Sequence, residues 1–264
     1  MDIRKSAALW MLLTAIIMLG LASASTDADE TGESWPRAAV FNLLDDGNYP
    51  DRLIGRRAAD AVFVALIEEA PWELVSRTRL QRLCEAEAAR APFAIAYLQM
   101  LGHRVRAPLA LTGVVEVCEV NKGRGTAQVT LLVELLETLE GATLASKRGV
   151  GSARRSDDEV APIDQIVDRA LSDAARDAVR KLTTFHQGTA MVAATLPDGR
   201  VMLDGPDEPA LEVGSKLLVY RGADPRREMI GALEVKESRL TVIHAQPLAG
   251  EEFRQGDRAV VVAR

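Results

Sequence analysis

The chain has 264 residues, 38 acidic against 32 basic side chains for a formal net charge of −6, 48% hydrophobic residues and 4% aromatic ones. The acidity argues against a global attraction to nucleic acid, and the hydrophobic content argues for a globular protein whose core is aliphatic, chiefly Ala, Val and Leu. Two cysteines and three histidines leave little material for metal or nucleophilic chemistry.

Arg4 and Lys5 precede an apolar run from Ala7 to Leu21, which ends in the small-residue exit Ala22-Ser23-Ala24. A charged start, a hydrophobic stretch barely long enough to cross a bilayer and an Ala-x-Ala exit predict a secretory signal peptide over residues 1–24, with a mature amino terminus near Ser25. Losing Arg4, Lys5 and Asp2 takes the net charge to −7. No cysteine stands at the cut, so no lipid anchor is expected, and no later apolar run is long enough for a membrane span. The expected location is periplasmic. Residues 25–36, acidic and nearly free of apolar side chains, read as a flexible tether. About 240 residues remain, which predicts two domains with cores of their own.

Ala38 to Leu44 is a nearly continuous apolar run that stops at Asp45-Asp46-Gly47, the pattern of a buried strand and a turn. Ile54, Ala58, Ala61, Val62, Ala65 and Leu66 keep helical spacing until Pro71. Trp72 to Val75 predicts a second short strand. Ser76 or Thr78 can cap the next helix, with Leu80, Leu83, Cys84 and Ala88 inward. Pro92 ends it, and a short helix over Ile95 to Leu101 is expected to stop at Gly102. From Leu109 the period becomes two. Leu109 to Val117, the turn Asn121-Lys122-Gly123-Arg124-Gly125 and a strand with Ala127, Val129, Leu131, Val133 and Leu135 on one face form a hairpin. A third strand, Leu144 to Ala153, follows the turn at Glu140-Gly141. Ile163, Ile166, Val167, Ala170, Leu171, Ala174, Ala178 and Leu182 then mark a long closing helix. After Phe185 come only short strands: Thr189 to Leu196, Arg200 to Leu203, Lys216 to Tyr220, Gly231 to Val235, Leu240 to Ala245 and Ala259 to Ala263. That spacing predicts a small β-barrel with a boundary near His186. Gly214 and Gly256 introduce strands and are expected at positive φ.

The segment Trp72 to Leu83, then Leu101-Gly102, then Pro108 to Val115, with the turn Leu135 to Ser146 that contains Thr138, Gly141 and Leu144, resembles a periplasmic family. It is similar to the α/β domain shared by curli-secretion proteins, the TolB amino-terminal domain and the outer-membrane activators of penicillin-binding proteins. Leu211 to Arg221, Ile230 to Val235 and Gly256 to Val260 resemble the carboxy-terminal barrel of the flagellar assembly protein FlgT, which also follows a TolB-like domain. The resemblances cover roughly residues 38–185 and the tail. They imply an α+β protein, with a mixed α/β sandwich domain of anticodon-binding-like, TolB amino-terminal type over residues 37–185 and a small all-β barrel over residues 186–264. They also imply a non-enzymatic envelope role as an assembly or scaffold component, flagellar-ring-like or secretion-related. Regulation of a peptidoglycan synthase is the alternative. The implied partners are envelope proteins or further copies of the chain, and no nucleic acid.

The residues themselves offer little chemistry. His103, His186 and His244 have no ligand spacing, so neither a metal nor a catalytic histidine is expected. Asp45-Asp46 and Asp157-Asp158-Glu159 lack the spacing of a calcium loop. Gly123-Arg124-Gly125-Thr126 joins two strands, so it is a hairpin turn rather than a phosphate cradle. No cofactor is expected. Lys147, Arg148, Arg154 and Arg155 make the third meander strand basic. That is either charge protecting an edge strand or a docking site for an acidic partner. Cys84 sits on an apolar helix face and Cys118 on the strand face that carries Glu116, and a disulfide between them and two free thiols both stay open.

Overall fold

The strands form two hydrogen-bonded frameworks in the computed structural model, which describes residues 35–47, 49–51, 53–156, 161–184, 188–204, 211–222, 228–239, 242–250 and 252–264. The signal peptide, the tether through Ser34, Asp157-Asp158-Glu159 and His186 lie outside the described residues. Trp35, expected in the tether, packs against the core instead.

The first framework is a mixed sheet in the order β3–β1–β4–β5–β6, built from β1 (Arg37–Val40), β3 (Glu73–Leu74), β4 (Leu109–Asn121), β5 (Thr126–Glu137) and β6 (Thr143–Arg154). The expected first strand is split. After Val40 the chain leaves the ladder and returns as β2 (Leu44–Asp45), which pairs in parallel with Val114 and Val115 of β4. β1 is parallel to both its neighbours, whereas β4, β5 and β6 form the antiparallel meander. Helices α1 (Ile54–Glu69) and α4 (Ile163–Thr183) cover one face over Val40, Leu109, Leu111, Val129, Leu131 and Val133. Helices α2 (Arg77–Ala86) and α3 (Ile95–Val105) cover part of the other, over Ala39, Phe41, Ala110 and Leu136.

Two details depart from the sequence reading. Ser76 precedes α2 without a side-chain cap bond. Gly102 does not end α3, which runs to Val105 and stops at Arg106 in the left-handed conformation (φ 55°). Gly102 serves close approach, because a Cβ there would stand 2.6 Å from Thr138 Cγ2.

The second framework is a closed six-stranded antiparallel barrel in the order β10–β11–β8–β7–β12–β9. Its strands are β7 (Thr189–Thr195), β8 (Val201–Asp204), β9 (Lys216–Arg221), β10 (Glu228–Arg239), β11 (Val242–Gly250) and β12 (Arg258–Ala263). β10 and β11 outrun the expected strands because Pro247 falls opposite Leu233 at a register shift, where its missing N–H is tolerated. Gly214 and Gly256 have φ of +90° and +91°, as their turns require.

The barrel is buried on two sides. Leu217, Val219, Ala259 and Val261 fill its interior. Leu218, Tyr220, Val260 and Val262, the alternate residues of β9 and β12, join the core of the α/β module. Residues Ser34–Arg264 accordingly form one compact unit.

Candidate interaction surface

Strands β4, β5 and β6 are 13, 12 and 12 residues long, and the core beneath α2 and α3 includes only Ala110 and Leu136 of them. The rest of that face is open. Its cross-strand rows follow from the register: Thr112, Glu134 and Ser146, then Val114, Leu132 and Arg148, then Val117, Thr130 and Val150, then Glu119, Gln128 and Ser152. All twelve are half-buried or exposed. The centre is therefore apolar, with Val114, Val117, Leu132 and Val150, and the borders are polar. Threonine and β-branched residues suit such a half-solvated pleat.

A bulge between Val115 and Val117 leaves Glu116 and Val117 both on this face. Its carboxylate accepts two bonds from Arg148, Nε to Oε2 at 2.6 Å and Nη2 to Oε1 at 2.7 Å. The Arg148 guanidinium holds the Glu116 carboxyl below its ordinary pKa. The same bulge corrects the expectation for Cys118. The extra residue shifts the alternation, so Cys118 joins the core under α1 and α4, on the face opposite Glu116. Cys84, a residue of α2, lies in the other core. Both thiols are free and buried, and the sheet stands between them, so the disulfide left open by the sequence is not formed. Burial pushes the Cys118 thiol up to about 11 and raises that of Cys84.

β6 is the edge of the sheet, and α4 guards it. Val150 N–H donates to Asp177 Oδ2 (3.0 Å), and Lys181 Nζ donates to the Arg148 carbonyl (2.9 Å). Two backbone groups that would invite another strand are thus taken. The four basic residues singled out from the sequence do not gather. Arg148 and Arg154 share the parity of the open face, Lys147 lies opposite Val133 with the parity of the helix side, and Arg155 follows the strand, its N–H donating to the Gly125 carbonyl (2.8 Å). His103 is exposed in the last turn of α3, and His244 is half-buried on β11. Among the described residues no three His, Cys, Asp or Glu side chains are placed to hold a metal ion.

Sequence reasoning missed Glu137. It is 1% exposed, and its carboxylate accepts the N–H groups of Leu139 (2.5 Å), Glu140 (3.0 Å) and Ala142 (2.6 Å), closing the turn between β5 and β6. Gly250 N–H then donates to Glu140 Oε1 (2.8 Å), tying that turn to the barrel. The only signal was an acid at a strand end before Gly141, which also fits an exposed turn.

No protein-family model matches the chain, and no curated protein is similar to it. Solved structures are similar to part of it. A PelC dodecamer from Paraburkholderia phytofirmans aligns at 16% identity over 55% of this chain and 90% of its own, with a TM-score of 0.37. Lipoprotein GNA1162 from Neisseria meningitidis aligns at 16% identity over 47% and 84%, with a TM-score of 0.35. The LpoB carboxy-terminal domain from Escherichia coli aligns at 17% identity over 50% and 92%, with a TM-score of 0.34. At such scores none of them assigns a function. Among the described residues no helix is long and apolar enough to cross a membrane.

Proposed function

We propose that this chain is an exported cell-envelope protein that works without catalysis, as an assembly or scaffold component, and docks a protein partner on the open face of β4, β5 and β6. That face carries the reading. A rigid sheet, packed on one side, presents on the other an apolar centre bordered by polar side chains and the Glu116–Arg148 pair, the anatomy of a protein interface. The resemblance to curli-secretion and TolB amino-terminal domains, followed by a FlgT-like barrel, supports an envelope setting in a flagellar-ring-like or secretion-related complex. The penicillin-binding-protein activators in that resemblance supply the alternative, a peptidoglycan synthase as partner.

A photo-crosslinking residue at Leu132 in the native cell tests this, with Ser172 on the exposed side of α4 as control. An adduct specific to Leu132 is expected. Ring or secretion components in it favour assembly, and a synthase favours the alternative. No adduct, or the same adduct from Ser172, defeats the proposed surface. Mass spectrometry of the native protein checks export, with a start near Ser25 expected.

A further inference from the structure

Residues 77–106 hold six arginines, no lysine and two glutamates, a net +4 inside a chain of net −6. Two arginines are spent within the fold. Arg77 donates to Asp60, to Asn42 and to the Val40 carbonyl, and Arg104 pairs with Glu87. Arg79, Arg82, Arg90 and Arg106 are exposed, and among the described residues their side chains have no hydrogen-bond or ion-pair partner. Arg79 and Arg82 stand one turn apart on α2, and Arg90 follows the helix.

Directly after Arg90 comes an uncharged stretch, Ala91 to Leu98, in which Pro92, Ala94, Ile95, Ala96 and Tyr97 are all exposed. Ile95 is 52% exposed and Tyr97 42%, large values for such side chains. Phe93 holds the stretch to the core edge-on against Phe41, with ring centroids 5.2 Å apart. Leu139, 46% exposed, extends the apolar surface. Gln99 Nε2 donates to its carbonyl (3.1 Å), and Gly141 of the same turn lies under Ile95.

We infer that this α2–α3 corner is a peripheral docking surface for an anionic phospholipid bilayer. A protein interface gathers apolar groups at a desolvated centre with few charges. Here an exposed, uncharged segment with aliphatic side chains and one tyrosine follows in the chain directly on Arg90, in a stretch whose exposed arginines have unpaired guanidinium groups. That combination suits shallow insertion at the headgroup level, with arginine bridging phosphate oxygens and the apolar residues reaching the acyl boundary. The corner is separate from the open-face rows of β4 to β6, so its test does not depend on the proposed protein partner.

The mature chain is floated with vesicles of phosphatidylglycerol and phosphatidylcholine at about one to two, and with phosphatidylcholine alone. Binding to the anionic vesicles that weakens with salt is expected. Arg79→Glu with Arg82→Glu should lower partitioning at least about tenfold, since each basic residue near an anionic surface contributes about a fivefold step. Ile95→Ser with Tyr97→Ser should also weaken it. Lys122→Glu with Arg124→Glu, the same change of charge at the β4–β5 turn, should leave it intact. If an arginine variant melts below wild type, Arg82→Glu with Arg90→Glu replaces it. No binding to anionic vesicles, or equal loss from both charge reversals, overturns the inference. Retention on polyglutamate but not on vesicles overturns it too, and assigns the arginines to an acidic protein.

Discussion

Gly151 and Ser152 are neighbours on β6 that point in opposite directions, and the difference between them is the difference between the two sides of the sheet. Gly151 lies under α4, where a Cβ would meet the Ala170 carbonyl oxygen and the Ala174 nitrogen. Gly149, two residues earlier, meets Ala174 and Ala178 in the same way. A helix with alanine every fourth residue thus lands on a strand with glycine every second one, and backbone nearly touches backbone. Ser152 is exposed. On the packed side the distance to the helix dictates residue size, whereas on the open side only solvation and a future partner do. The sharpest test is a valine at each position. Gly151→Val should destabilise the protein by about 3 kcal/mol or more in urea unfolding, because the helix backbone cannot retreat without opening the core. Ser152→Val should stay within about 0.5 kcal/mol of wild type. Equal costs would mean that the open side is also packed.

Two glutamates near the end of β5 extend the contrast to polar groups. Glu137 is buried and satisfies three N–H groups of one turn, while Glu134 is half-buried on the open face. Glu137→Ala should cost about 2 kcal/mol or more, since three N–H donors of one partly buried turn lose their acceptor at once. Glu134→Ala should cost less than about 1 kcal/mol by the same unfolding measurement.

The packed side was the legible one. Ala127 to Leu135 alternate, and Ile163 to Leu182 repeat at helical spacing, because each residue there answers to one layer of neighbours. The open face was harder to read for two reasons. The Glu116 bulge inserts a residue without a Gly or Pro to mark it, so Cys118 read onto the wrong face. Nor could the basic run around β6 show that Arg148 is committed to Glu116 while α4 takes the strand's exposed backbone. Gly102 misled because a helix-stopping glycine and a close-approach glycine look alike until Thr138 is placed beside it. The shared core of the two modules did leave a trace. Leu217 to Tyr220 and Ala259 to Ala263 are continuously apolar, as strands covered on both faces must be, rather than alternating.

Acid unfolding separates a buried carboxylate from an open one. Asp257 is 4% exposed in the barrel, where it takes two bonds from Arg221, at 2.9 and 2.7 Å, and one from Arg254 N–H. Burial pushes its carboxyl up, but these bonds outweigh burial and leave the pKa below the ordinary 3.8. A depressed carboxylate adds stability that is fully present above the unfolded value and is lost as the pH falls through the folded one. Asp257→Asn should therefore cost about 1–2 kcal/mol at neutral pH, with the gap to wild type closing below pH 3.8. A gap that persists into stronger acid would show that shape, not charge, holds the turn.

Glu116 should give the smallest effect, and a change of stability there is the wrong place to look for its role. Arg148 holds its carboxyl below the ordinary 4.5, so the sign is that of Asp257, with stability present above that value and lost as the pH falls beneath it. The pair stands on the solvent side, where water screens the attraction and two long side chains lose freedom to meet. Glu116→Gln should therefore lower stability by about 0.5 kcal/mol or less at neutral pH, with no resolvable difference from wild type in acid. If the open face docks a protein, that same substitution frees Arg148 and unbalances the border of the apolar centre, so the Leu132 cross-link should weaken while the melting curve barely moves. A variant that melts normally and cross-links normally would leave the ion pair as nothing more than a solvated strand border, and the docking surface would then rest on Val114, Val117, Leu132 and Val150 alone.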